Sequence, residues 1–156
     1  MEHTYVEADF ERAAAVVAAE VSPRELVQRL GVDWEFLTWL GLGLANEVSP
    51  VEAVTSAVEA FNAGFLLGAY LRRGSLDAAV EVEDTRLPWA VDEVHRRGRH
   101  AVIAEHCDLG AVARIEEAYA GALAESLGLP ENDEIRGAVT RLFESGLATG
   151  LIVCDA

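Results

Sequence analysis

Residues 50–73 read PVEAVTSAVEAFNAGFLLGAYLRR, and this stretch decides how the chain packs. Ser49 and Pro50 resemble an N-cap and a first helical position. From Ala60 to Leu71 no charged residue occurs, and apolar side chains point in nearly every direction around a helix axis. Such a helix is stable only when it is surrounded, either by its own chain or by a second subunit. The pattern therefore predicts a central core helix.

Two glycines in this stretch predict a close helix–helix contact. Gly64 and Gly68 are four residues apart, and each costs a helix roughly 1 kcal/mol relative to alanine. The sequence 143–150 repeats the spacing Phe-x-x-Gly-x-x-x-Gly of 61–68. The contact is thus expected either between the two repeats or between two copies of the first. The predicted packing interface comprises Phe61, Gly64, Phe65, Gly68, Phe143, Gly146 and Gly150.

The remaining periodicity is helical throughout. Polar and glycine-rich breaks separate amphipathic segments, and the alternation Ala79-Val80-Glu81-Val82-Glu83 has no convincing partner strand. We predict an all-α, compact single domain of about six to eight helices over residues 1–156. The repeat leaves open two related halves, 1–73 and 88–156, joined by a loop around 74–87.

Composition limits the function. There are 27 acidic residues against 12 basic ones, all arginine, which gives a formal net charge of −15. This field repels phosphate, so nucleic acid is not an expected partner. It favours a salt-adapted protein, because high ionic strength screens self-repulsion. The uncharged run from Ala60 to Leu71 covers about 18 Å as a helix, too short for a bilayer. Two cysteines and no recognisable leader favour the cytoplasm.

Residues 22–44 resemble a helix-turn-helix, with Gly31 at the turn. The second helix, Trp34 to Leu44, offers Glu35, Thr38 and apolar groups but no side chain suited to reading base edges. An αα-corner in the core is the alternative interpretation.

One dense basic cluster is a candidate anion-binding site, because guanidinium groups bind phosphate and carboxylate. Its residues are His95, Arg96, Arg97, Arg99 and His100. Their position at a helix end, where cations complement the dipole, explains them equally well. The neighbouring carboxylates Glu116 and Glu117 are expected on a solvated helix face. We find no catalytic, cofactor-binding or metal-binding signature and expect no cofactor.

The sequence therefore favours a non-enzymatic cytoplasmic helical protein that acts through protein–protein interaction, as a homodimer or with an unknown protein partner. One alternative is a helix-turn-helix-like transcriptional regulator using residues 22–44. A further alternative is a small-anion-binding protein or enzyme that uses the Arg96–Arg99 cluster.

Overall fold

The computed structural model describes residues 4–17, 22–74, 85–127 and 133–154. In these residues it contains eight α-helices and no strand, which confirms an all-α bundle of six to eight helices. The helices are α1 (Glu7–Val17), α2 (Pro23–Arg29), α3 (Trp34–Val48), α4 (Val54–Arg73), α5 (Arg86–Arg97), α6 (Arg99–His106), α7 (Leu109–Leu127) and α8 (Asp133–Val153). A 3-10 turn, Val51–Ala53, precedes α4.

The centre of the fold is α4, most of whose residues between Ser56 and Leu71 are buried; Ala63 and Tyr70 are half-buried, and Glu59 is exposed. Its principal partner is α8 of the same chain. It is the one described helix long and apolar enough to cross a bilayer, but two thirds of that window lies inside the protein. This is the burial expected of a core helix whose apolar surface faces other helices.

The α4–α8 contact is built on four glycines. A Cβ atom on Gly64 would lie 2.2 Å from the main-chain oxygen of Phe143, and one on Gly68 would lie 2.4 Å from that of Leu147. The partner residues advance along α8 as the glycines advance along α4, so the two helices run parallel. Their backbones touch at this crossing, which leaves no room for a side chain.

The same contact is made from the opposite side. A Cβ atom on Gly146 would lie 2.0 Å from the oxygen of Phe61, and one on Gly150 would lie 2.3 Å from that of Phe65. Each repeat thus presents its two glycines to the backbone of the other in equivalent register. The division into halves stays a prediction, and this symmetry is the observation that favours it.

The beginning of α4 differs from the prediction. Ser49 closes α3 instead of opening α4: its N–H donates to the oxygen of Ala45 at 2.8 Å. Pro50 then precedes the 3-10 turn, and α4 begins at Val54. Pro50 is the N-cap of that turn, with an extended backbone at φ −61° and ψ 154°, and Val51 is the first residue of the turn.

The end of α4 and the starts of three other helices follow their local signals. Gly74 adopts φ +72° and its N–H donates to Tyr70, as at a left-handed helix end. The side chains of Ser22, Asp33 and Asp108, residue types that favour the N-cap position, each accept a hydrogen bond from a main-chain N–H in the first turn of α2, α3 and α7. Residues 75–84 of the predicted loop, including the alternating segment, lie outside the described residues.

The other helices surround the α4–α8 pair. Helices α1, α2 and α3 pack against α4, whereas α5, α6 and α7 pack against α8. Tyr5, which precedes α1, is hydrogen-bonded through its main chain to the α6–α7 junction. Its N–H donates to the main-chain oxygen of His106 at 2.7 Å, and its main-chain oxygen accepts from the N–H of Asp108 at 2.8 Å. At the α5–α8 contact, Arg86 Nε donates to the oxygen of Val153 at 2.9 Å.

Candidate functional site

The predicted anion-binding residues occupy the junction between α5 and α6, where Gly98 turns the chain with φ +89°. Arg96 forms a bidentate salt bridge with Glu93 on its own helix: Nε donates to Oε1 at 3.0 Å and Nη2 donates to Oε2 at 2.9 Å. Arg97 pairs with Glu105 of α6. These contacts hold the pKa of both carboxyls below their usual range. An incoming anion would have to compete with a carboxylate at each guanidinium.

The space beside this cluster is small. A cavity of about 130 Å³ lies against His95, Arg99 and Thr149. Ligand sites are ordinarily about 300–1,000 Å³. The anion-binding or enzyme alternative stays a prediction, and the geometry at the α5–α6 junction favours ion pairing.

The third arginine joins a partly buried polar cluster. Arg99 Nε donates to Glu144 Oε1 at 3.1 Å, and His100 Nε2 lies 3.0 Å from Glu144 Oε2. Glu144 is only 9% exposed. Its charge is therefore supported by a guanidinium and an imidazole from α6, as a buried carboxylate requires.

Glu116 belongs to the same cluster, contrary to the solvated face expected for it. Its Oε1 atom is buried and has no hydrogen-bond partner among the described residues. Burial, the neighbouring charge of Glu144 and a hydrogen bond shared with it raise the pKa of Glu116 to about 8. Glu117, one residue later, is exposed as predicted.

Residues 22–44 form two helices with Gly31 between them at φ +78°. Helix α3 exposes Glu35, Trp39 and Leu42, with Trp39 66% and Leu42 40% exposed. Trp39 stacks on Phe36 with ring centroids 6.1 Å apart. Between Trp34 and Leu44 the exposed surface of α3 is acidic and apolar and carries no cationic or amide group of the kind that reads DNA. The exposed amide of Asn46 lies in the last turn of the helix, beyond residues 22–44.

A second, larger cavity lies between α1, α2, α3, α4 and α7. Its volume is about 690 Å³. Its wall is mainly aliphatic and aromatic, and includes Val17, Trp34, Leu66, Leu67, Ile115 and Tyr119. A cavity of this size and lining suits a small apolar molecule.

Two neutral polar groups border this cavity. Asn62 is 4% exposed, its Nδ2 donates to Thr38 Oγ1 at 3.4 Å, and its Oδ1 is buried without a described partner. Tyr119 packs on Phe143 at 5.1 Å between ring centroids. Burial and the nearby Glu59 raise the pKa of the Tyr119 phenol, so it keeps its proton at physiological pH. The exposed charged residues Arg24 and Glu59 lie at the cavity edge.

The cavity was missed from the sequence. Asn62 follows the polar positions Thr55 and Glu59 at helical spacing, which predicts a solvent-facing stripe. In the structure Thr55 and Glu59 are exposed and Asn62 is buried. The sequence did contain one indication that Asn62 is buried, because it lies inside the uncharged run from Ala60 to Leu71.

The sulfur and metal-binding residue types form no further site among the described residues. Cys107 and Cys154 are both buried free thiols, and burial raises the pKa of each. Within the described ranges, no group of three or more His, Cys, Asp or Glu side chains is arranged to hold a metal ion.

No protein-family model, no curated protein and no solved structure matches this chain.

Proposed function

We propose that this protein binds a small, neutral, apolar molecule in the cavity between α1, α2, α3, α4 and α7. The observation that carries the proposal is the cavity itself: about 690 Å³, with a predominantly aliphatic and aromatic wall. Binding would remove that wall from water, at roughly 25 cal/mol per Å² of apolar surface.

The two neutral polar groups that border the cavity are suited to binding a ligand, whereas the charged Arg24 and Glu59 lie exposed at its edge. Asn62 is an amide, and the Tyr119 phenol keeps its proton because burial raises its pKa. Neither provides a general base at physiological pH. The buried Asn62 oxygen without a partner is a group that a bound molecule or water would satisfy.

Titration with the neutral dye N-phenylnaphthylamine tests the proposal. Its fluorescence rises in an apolar site, and we expect saturation at one dye per chain. Ala118 lines the cavity on α7, so Ala118→Trp should fill part of it and weaken binding by at least about tenfold. Ala113→Trp, at an exposed position of the same helix, is the matched control. Absent saturable binding, or equal affinities in the two variants, would contradict the proposal.

A homodimer is a second proposal, carried by the exposed surface of α3. The glycine face of α4 packs against α8 of the same chain, so the proposed subunit contact uses a different surface. No charge occurs from Phe36 to Asn46, so two chains of net charge −15 would repel each other least here. Gly43, one turn after Trp39, has no atom within 4 Å of a Cβ position. A glycine at an exposed helical position is costly unless another backbone approaches it.

Light scattering after size-exclusion chromatography tests the homodimer. We expect a mass of twice 16.8 kDa for the unmodified chain and a shift to 16.8 kDa for Trp39→Glu. Trp89→Glu is the matched control, because Trp89 is an exposed tryptophan on α5. A monomeric unmodified chain would rule the homodimer out.

A further inference from the structure

Four side chains from three helices meet at the cluster formed by Glu116, Glu144, Arg99 and His100. Glu144 of α8 accepts from Arg99 Nε at 3.1 Å and lies 3.0 Å from His100 Nε2, both on α6. Glu116 of α7 lies next to Glu144, with its Oε1 atom buried and unpartnered among the described residues. The cluster therefore joins α7 to the α6–α8 pair.

This cluster holds two carboxyl groups, one permanent cation (Arg99) and an imidazole (His100) that is a cation only when protonated. The charged groups that act on Glu116 are Glu144 from α8 and Arg99 from α6, and His100 Nε2 lies 3.0 Å from Glu144 Oε2. Helix α1 also packs on α7, and its Glu7 forms an ion pair with Arg114 of α7. The shared proton leaves one carboxylate for the Arg99 guanidinium. Its loss leaves two adjacent carboxylates with one permanent cation.

We propose that a proton shared by Glu116 and Glu144 holds α7 against α8, and that ligand binding in the cavity therefore depends on pH. We call this shared proton the latch. The proposal rests on the proposed binding function, because α7 also supplies Ile115 and Tyr119 to the cavity wall. Ile115 directly precedes Glu116 in α7, and Tyr119 follows Glu116 by three residues, about one helical turn. A movement of this turn away from α8 would therefore displace the cavity wall.

The expected direction follows from the repulsion. Deprotonation at alkaline pH places two like charges side by side in a partly buried contact, which favours separation of α7 from α8. The affinity for an apolar ligand should then fall, by about tenfold between about pH 6 and about pH 9, within the range of ordinary coupling between sites.

Two measurements test the latch, each on the full chain. The first is the affinity for N-phenylnaphthylamine at both pH values, since this dye stays neutral in that range. The second, made without ligand, is amide hydrogen exchange of α7 relative to α4, corrected for the intrinsic effect of pH on exchange. Both are made on the unmodified chain, on Glu116→Gln and on the adjacent exposed-site control Glu117→Gln.

The latch predicts that the unmodified chain and Glu117→Gln lose affinity and α7 protection at the higher pH, whereas Glu116→Gln keeps both. Equal pH dependence in Glu116→Gln and the unmodified chain would overturn it, as would α7 protection that is independent of pH. If the dye binds at neither pH, the proposed function is wrong and the link to ligand binding falls with it. The exchange data then decide alone whether the proton holds α7 to α8.

Discussion

Gly64 lies against the main-chain oxygen of Phe143, so closely that a Cβ atom at Gly64 would be 2.2 Å from it. The reciprocal pair, Gly146 and Phe61, is equally tight at 2.0 Å. These distances are below any normal van der Waals contact, and the obstructing atom is backbone rather than a flexible side chain. A methyl group can enter only if the two central helices separate.

We therefore expect Gly64→Ala, Gly68→Ala and Gly146→Ala each to lower the free energy of unfolding by about 1–3 kcal/mol, and Gly68→Leu by more. Intrinsic helix propensity alone predicts the opposite sign, a gain of up to about 1 kcal/mol. Gly137→Ala is the control, because this exposed position of α8 has no atom within 4 Å of a Cβ. Denaturant midpoints of these variants distinguish the loss of stability expected from overpacking from the gain expected from helix propensity. Higher stability in all three core variants would remove the close contact from the centre of the fold.

The glycine contact was accessible from the sequence because it depends on a spacing within one helix. The eight residues of Phe-x-x-Gly-x-x-x-Gly suffice to place two glycines on one face. The two partners for this face, α8 or a second subunit, could not be distinguished, because local periodicity does not specify what lies opposite. The structure settles that choice through contacts between residues far apart in the chain, Gly64 with Phe143 and Gly146 with Phe61.

Glu116 and Glu117 show the opposite case. They are chemically identical and adjacent, but successive helical residues point about 100° apart. Which of the two faces α8 depends on the rotation of α7 about its axis, and this is set by packing against α1 and α8. The cavity has the same origin, since its wall combines residues from Ala14 to Tyr119. No short window of sequence contains this information.

Burial of Glu116 predicts how stability changes with pH. Its pKa in the folded protein is about 8, above the ordinary value of about 4.3 for glutamate. The folded state therefore holds this proton longer than the unfolded state. Its contribution to stability is complete below about pH 4 and is lost as the pH rises through about 8. Urea midpoints of the unmodified chain should fall over this interval.

Glu116→Gln should flatten that profile and be more stable than the unmodified chain above about pH 8, because an amide has no proton to lose. Glu117→Gln should keep the slope, since this neighbour is exposed. Parallel profiles for the unmodified chain and Glu116→Gln would show that Glu116 is not the group responsible.

The exposed surface of α3 predicts no binding to duplex DNA at physiological salt. It presents Glu35, Trp39 and Leu42 on a chain of net charge −15, so both the field and the side chains are unsuited to a groove. Electrophoretic retardation of genomic fragments measures this directly. Sequence-specific retardation that Trp39→Ala abolishes without unfolding the chain would instead support the regulator alternative for residues 22–44.

The net charge of −15 predicts that stability rises with ionic strength. Added salt has two opposing effects, because it screens both the repulsion among carboxylates and the attraction within ion pairs. The pairs Arg12–Asp9, Arg96–Glu93 and Arg114–Glu7 each have a strongly exposed arginine, and exposed pairs contribute little to stability. The loss of repulsion should therefore dominate. We expect the melting temperature to rise between low and molar potassium chloride.

The control for this effect changes the charge and keeps the fold. Glu35, Glu47 and Glu117 are exposed, and the combined change of these three to glutamine lowers the magnitude of the net charge. This variant should melt higher than the unmodified chain at low salt and gain less from added salt, because less repulsion remains to be screened. Sucrose at matched osmolality separates screening from general exclusion of cosolvent. A melting temperature independent of salt, or an equal gain in the glutamine variant, would show that repulsion among carboxylates does not limit stability.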